Sequence, residues 1–304
     1  MRRRLWILTG LVCLPLIAQA QHIFEAGLRV GMADWYAKTN YVNALPDGHA
    51  GVELAYAYHS PKVVGVRIGV TADLHRAAFG KRNYEDMYET TDVEEQTMQV
   101  ESYLDNLRET YSFWSVGIPV QLSLSWENLS FSVGPKVVFP IANSWKEKVY
   151  EYSALYVYYP DQDNRVYESY PLAATRNFSM QKEGELKLPI VQWWLSSELT
   201  YSFPVGSSRR IQSFVTIGAY FDWSFSNTPI TRSETKSLVM LTDTRDGFPL
   251  ERVLTPVLEG NRQGEALVNK CSLFDVGIKI AYAISPYNPN SNHSSHCHCL
   301  PYQN

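Results

Sequence analysis

The sequence predicts an all-β protein, an eight-stranded antiparallel up-and-down transmembrane β-barrel with long extracellular loops. Three observations predict it. Eight runs alternate apolar and polar residues with period two. The runs are about 11–15 residues long, where a soluble strand usually has roughly 5–6 and a tilted membrane-crossing strand needs roughly 9–11. The joins between runs alternate short and long.

The first twenty of the 304 residues read as an address. Arg2, Arg3 and Arg4 precede a mostly apolar stretch, Leu5 to Ile17. Ala18-Gln19-Ala20 then has the A-x-A form of a signal-peptidase site. The stretch is shorter than the ~20 apolar residues of a transmembrane helix. Cys13 follows Val12, where a lipobox would want a small residue. The expected organisation is a signal peptide at 1–20, cleaved near Ala20, an outer-membrane barrel at 21–285, and a flexible periplasmic tail at 286–304. Removing three Arg and no acid takes the net charge from −4 to −7. Of four Cys, three remain: Cys271, Cys297 and Cys299. That is too few for a disulfide-stapled scaffold. A hydrophobic content of 45% excludes a disordered polymer, and the charge balance argues against a dedicated nucleic-acid binder.

Each run has two unlike faces. In 23–33, Phe24, Ala26, Leu28, Val30 and Met32 share one face, with Glu25, Gly27, Arg29 and Gly31 on the other. In 49–59, Val52, Leu54 and Tyr56 oppose Gly51, Glu53 and Ala55. In 63–75, Val64 to Leu74 oppose Arg67, Asp73 and His75. In 112–126, Trp114 to Trp126 oppose Ser115, Gly117 and Gln121. This run is irregular at its outer end, where Ser112 and Phe113 sit on the wrong faces. In 129–142, Leu129, Phe131, Val137 and Ile141 oppose Lys136. In about 188–203, Trp193, Leu199, Tyr201 and Phe203 oppose Trp194 and Glu198. In 211–225, Ile217, Phe221 and Trp223 oppose Gly218, Tyr220 and Asp222. In 272–285, Val276, Ile278 and Tyr282 oppose Asp275 and Lys279. A short helix within 85–108 is the only helical expectation.

Alternation alone does not say which face points out. The polar face is rich in Gly, Ser and Ala and poor in Lys, which suits a crowded lumen. Aromatic residues near the ends of the apolar face read as interfacial girdles: Trp114, Trp126, Tyr201, Phe203, Trp223 and Tyr282. Ser60-Pro61-Lys62, Glu127-Asn128 and the segment around Val205-Gly206-Ser207-Ser208 make short joins. The others span about 15, 36, 45 and 46 residues. The apolar face is therefore expected to meet lipid, and the 45% hydrophobic content to lie on that surface instead of in a core.

Val116-Gly117-Ile118-Pro119-Val120-Gln121-Leu122, a short turn, and Phe131-Ser132-Val133-Gly134-Pro135-Lys136 carry a resemblance. Gly277-Ile278-Lys279-Ile280-Ala281-Tyr282 adds to it. The chain resembles the outer-membrane β-barrel ("porin family" or PorT-like) domain proteins of Bacteroidota-type bacteria, over about 22–285. The tail after the last strand and the long loops depart from the family pattern. The resemblance implies the fold and an outer-membrane location. It also brings in the accessory subunit of a secretion or assembly complex as one functional class.

On the polar face, Arg29, Glu53, Arg67, Gln121, Lys136, Glu198 and Lys279 lie about four to seven residues from the turn end and should share a layer. Asp73, Asp222 and Asp275 lie higher. Buried charges must be paired or hydrated. The layer reads as a salt-bridged plug or as a narrow gated ion path.

The loop at 81–110 sets nine acids against Lys81, Arg82 and Arg108. The next loop holds Tyr150, Tyr152, Tyr156, Tyr158 and Tyr159. They read either as an extension of the fifth strand or as a recognition surface for envelope proteins or glycans. The tail carries His293, His296, Cys297, His298 and Cys299. These are metal-ligand types without the C-x₂₋₄-C spacing of a structural zinc site. No H-E-x-x-H, G-x-S-x-G or P-loop occurs, and the expectation is a non-enzyme. No cofactor is expected. Outer-membrane lipid is the expected environment, and nucleic acid is not an expected partner.

Overall fold

Runs rich in Val, Ile, Leu, Tyr and Phe form strands because such side chains pack well on a pleated surface. Successive residues leave on opposite faces, so each run acquires two unlike sides. A computed structural model describes residues 21–59, 64–91, 95–160, 164–166, 174–207, 211–226, 237–242 and 251–286. The strands in chain order are β1 (Gln21–Thr39), β2 (Asn43–His59), β3 (Val64–Thr91), β4 (Thr97–Trp126), β5 (Leu129–Tyr159), β6 (Asn164–Val166) and β7 (Ala174–Gly184). They continue with β8 (Gln192–Ser207), β9 (Ile211–Ser224), β10 (Val239–Thr242), β11 (Glu251–Leu254), β12 (Asn261–Arg262), β13 (Glu265–Ala266) and β14 (Val268–Pro286).

Eight of these close a ring. β1 pairs β2, then β3, β4, β5, β8, β9 and β14 follow, and β14 returns to β1. Each pairing is antiparallel. β6 and β7 attach to β5 outside the ring, so the whole sheet has ten strands. Closure leaves the ring without open edges. The short Glu127–Asn128 turn, with Glu127 at φ 54°, joins β4 to β5. We call its side of the ring the turn end.

Alternation places large apolar side chains on the outside. Leu28 is 61% exposed, Leu54 66% and Ile278 61%. Their neighbours Arg29, Glu53 and Lys279 are buried. This arrangement is the reverse of a soluble barrel, whose apolar face would point inward.

Beyond the far end of the ring, the strands continue. β3 and β4 remain paired out to Thr91 and Thr97. β5 continues to Tyr159 and carries β7 along Trp145–Tyr156. The interior of this extension is apolar. Val100, Leu104, Val149, Leu155 and Val157 are buried there with Leu238, Leu254 and Val257. The expectation that hydrophobic residues would cover the surface and form no core is corrected: the molecule has an apolar band and, above it, a core.

Two more expectations change. No helix occurs within 85–108 among the described residues; both arms belong to strands. Buried positions run through Met98, Val100, Ser102 and Leu104, then resume at Leu107, Glu109 and Tyr111. Asn106, at φ 46°, sits at this switch of parity. The switch produces an i, i+3 spacing that imitates a helix. Phe113 keeps the inward parity of Ser115 and Gln121 and is apolar because the core begins there. The second change concerns the long loops, which are in large part strand; for Tyr150, Tyr152, Tyr156, Tyr158 and Tyr159, all in β5, the expected alternative of an extended fifth strand holds.

Candidate functional site: the charged interior of the ring

All eight ring strands send polar side chains inward. β1 supplies Glu25 and Arg29, β2 His49 and Glu53, and β3 Arg67, Asp73 and His75. β4 supplies Gln121, β5 Lys136, β8 Ser196 and Glu198, β9 Tyr220 and Asp222, and β14 Asp275 and Lys279. The two-residue period fixes this, since each lies in phase with the others on its strand.

The charges form two stacked nests. Nearer the turn end, Arg67 Nη2 donates to Glu53 Oε1 at 2.5 Å, and Arg67 Nη1 lies 3.1 Å from Glu198 Oε1. Lys279 Nζ lies 2.9 Å from both Glu53 Oε2 and Glu198 Oε2 and also contacts Glu25. In the upper nest, Arg29 Nη2 donates to Asp222 Oδ2 at 2.6 Å. Lys136 Nζ donates to Asp73 Oδ2 at 2.9 Å and to Asp222 Oδ2 at 2.8 Å. Thr71 Oγ1 donates to Asp73, and Ser196 Oγ to Asp222, each at 2.6 Å.

Gln121 links the nests. Its Oε1 accepts from Arg67 at 2.8 Å, and its Nε2 donates to Ser196 Oγ at 3.1 Å. The seven residues expected in one layer are therefore connected but divided between two tiers. Arg29, expected to face the same region as Glu53, pairs with Asp222 and Asp73 in the upper nest instead. Its register partner is Lys279, and two like charges opposite each other are driven apart. Lys279 turns to the lower nest and Arg29 to the upper.

Space for these side chains comes from glycine. A Cβ on Gly117 would stand 2.3 Å from Lys136 Cε, and one on Gly51 would stand 2.1 Å from Asp73 Oδ1. Above the upper nest, the Arg29 guanidinium lies 4.0 Å from the centre of the Tyr220 ring. His75 stacks on Phe113 at 4.5 Å. The apolar residues Trp35, Phe79, Tyr111 and Trp194 then close the interior toward the extension. At the turn end a shallow opening is lined by Glu25, His59, Arg67, Ser125, Glu198 and Thr200.

Sequence reasoning left Glu25, His49, Thr71 and Ser196 out of the network. Glu25 and His49 are in phase with Arg29 and Glu53, so strict extension of the parity would have found them. The girdle residues all lie on the ring strands. Trp126, Tyr201, Phe203 and Tyr282 are exposed near the turn end, and Trp114 is exposed at the opposite end. Trp223, also at that end, meets Tyr36 edge-on at 6.3 Å. Among the loop tyrosines, Tyr156 meets Tyr103 edge-on at 5.7 Å, and Tyr159 packs against the core of the extension. The side chains of Tyr150 and Tyr152 lie outside the described residues, as do His293, His296, Cys297, His298 and Cys299. Cys271 is buried near the far end of β14.

No family model matches this chain. No curated protein matches it either. Among solved structures, it is similar to Ail, the attachment invasion locus protein of Yersinia pestis, in complex with the heparin analogue sucrose octasulfate. Identity is 8%, with 88% of this chain and 99% of that chain covered, at a TM-score of 0.24. A superposition that loose carries no functional meaning for this chain.

Proposed function

We propose that this chain is a small outer-membrane β-barrel, of the PorT-like kind that its strand patterns resemble, with a lumen plugged by its own side chains. Its role is structural or interaction-mediating and is exercised through the extension beyond the bilayer. The observation that carries the reading is the inverted distribution of polarity: exposed Leu, Val and Ile around the ring, and buried, paired charge within it. Lipid is the solvent that such an outer surface suits, and a closed ring is the β architecture that satisfies every backbone group there. Aromatic residues at both ends of the band support the same reading.

The plug reading rests on the continuity of the two nests and on the aromatic residues above them. An eight-stranded barrel is just wide enough for its own side chains. The experiment is twofold. Mature protein in outer-membrane fractions should show heat-modified gel mobility; a soluble periplasmic species would overturn the membrane reading. In planar bilayers it should be silent. Unitary currents altered by Lys136→Ala would replace the plug with a narrow channel.

Catalysis is not part of the proposal. The extension, with tyrosines along β5, is the surface proposed to meet envelope proteins or glycans. Its test is partner capture with Tyr156→Ser and Tyr158→Ser variants, which leave the β5 ladder intact. Unchanged capture would remove the tyrosines from recognition.

A further inference from the structure

Two histidines and two aspartates meet at the top of the charge network. His49 comes from β2, Asp73 and His75 from β3, and Asp275 from β14. One ligand atom each from His49, Asp73 and His75 lies within 4.8 Å of the others, and all three residues are buried. His49 Nε2 lies 3.5 Å from Asp73 Oδ1 and 4.0 Å from Asp275 Oδ2. His75 Nδ1 lies 2.9 Å from Asp275 Oδ2. Around a tetrahedral ion with bonds of about 2.0–2.1 Å, ligand atoms stand about 3.3–3.4 Å apart. Three of the six spacings among the four groups, at 2.9, 3.5 and 4.0 Å, lie around that value.

The orientation of the two rings is set from behind. His49 Nδ1 and the Tyr220 hydroxyl are 2.5 Å apart, and His75 Nε2 and Ser115 Oγ are 2.8 Å apart. The nitrogens facing the cluster are then left over. Among the described residues, His49 Nε2, His75 Nδ1 and both carboxylate oxygens of Asp275 are buried and make no hydrogen bond of acceptable geometry. Asp275 Oδ2 lies within 4.0 Å of both of these nitrogens, and each ring is backed by a hydroxyl as outer-sphere groups back metal-binding histidines.

Charge points the same way. Within the two nests and this cluster, Arg29, Arg67, Lys136 and Lys279 face Glu25, Glu53, Asp73, Glu198, Asp222 and Asp275. Carboxylates outnumber cations by two. Asp73 is already shared by Arg29 and Lys136, whereas the basic side chains that reach Asp275, among the described residues, are the two imidazoles. Buried uncompensated charge is costly, and one divalent cation would balance this excess.

We propose that His49, His75 and Asp275, with Asp73 as the fourth donor, form a binding site for a divalent first-row transition metal such as Zn²⁺. Two imidazoles favour such an ion over Ca²⁺ or Mg²⁺, which take oxygen ligands. The site lies at the boundary between the charge network and the apolar core above it. A bound ion would tie β2, β3 and β14 together.

The test uses the full-length mature protein in detergent micelles, stripped with chelator and titrated with Co²⁺, then with competing Zn²⁺. The expected result is Co²⁺ ligand-field absorption of nitrogen and oxygen type, displaced by Zn²⁺. It should be lost in His75→Asn and Asp275→Asn. Tyr220→Phe, which keeps the ring in place, should weaken binding about 10–100-fold and keeps the proposal testable should the ligand variants not fold. Absence of binding overturns it. So does binding unaffected by all three substitutions, or a spectrum carrying only thiolate-to-metal charge transfer, which would place the ion on Cys297 and Cys299.

Discussion

Glu109 and Glu147 are register partners on adjacent strands, and both side chains are fully buried inside the extension. One hydrogen bond helps them: the Val257 N–H donates to Glu109 Oε2 at 2.9 Å. Burial pushes the Glu109 carboxyl up to about 8, against that hydrogen bond, and the nearby Glu259 charge adds to the rise. Burial and then the Glu109 charge raise Glu147 well above its ordinary value, while Lys182 opposes. A carboxyl raised on folding destabilises as it ionises. The extension is therefore most stable below about 4.5, the ordinary Glu value, and loses stability as pH rises through about 8. Amides of β4 and β5 around this pair should exchange faster at pH 8.5 than at pH 5, after correction for intrinsic rates. Glu109→Gln should flatten the dependence. Equal protection at both pH values in the unmodified protein would contradict the assignment.

Lys136 is the cation shared by Asp73 and Asp222. Its removal leaves two buried carboxylates with Arg29 alone. Breaking a buried pair from one side usually costs about 3–5 kcal/mol, so Lys136→Met should lower the urea midpoint of the lipid-embedded protein accordingly. Adding Asp222→Asn removes the excess charge and should recover part of the loss. If Lys136→Met leaves the midpoint in place, the upper nest contributes nothing to stability.

Gly117 and Gly48 make a paired test of packing. A Cβ at Gly117 would meet Lys136 Cε at 2.3 Å and Thr71 Oγ1 at 2.7 Å. Lys136 is held by two aspartates and cannot simply swing aside. Overpacking of this kind costs about 1–3 kcal/mol. At Gly48 a Cβ would meet nothing within 4 Å, and Gly48→Ala should stay within about 0.5 kcal/mol. Unfolding midpoints of the two variants in one lipid preparation provide the comparison. Equal effects would argue against a tightly filled interior.

The ring was legible because its signal is strictly local. Leu28 and Arg29 announce opposite faces by adjacency alone, and eight such runs require only a parity count. The extension was not legible, because its parity breaks. Between Leu104 and Leu107 the buried face shifts by one residue around Asn106, and a reading by period sees a helix or a loop. The network was legible as a set of residues but not as a geometry. Nothing in the spacing of Arg29 and Lys279 shows that they are register partners that must diverge. The His49–His75–Asp275 cluster was hidden for a related reason. Its members come from three strands: His49 and His75 are register partners on β2 and β3, Asp275 reaches them from β14, and no spacing within one strand shows that meeting.

The apolar band itself can be measured. Leu54 is 66% exposed on β2, midway along the band, with Ala26 and Val70 as register partners. In a bilayer, Leu54→Arg places a cation near the midplane, where such a change on a barrel's lipid face costs about 2–4 kcal/mol. Met87, 38% exposed on β3 in the extension, offers the contrast. There Met87→Arg would face water, and its effect should stay within about 0.5 kcal/mol. Both variants are to be unfolded by urea from the same lipid vesicles, since detergent would blur the difference in depth. A large loss at Leu54 with none at Met87 places the band in the hydrocarbon and the extension outside it. Equal losses at the two positions would remove the bilayer as the solvent of the ring.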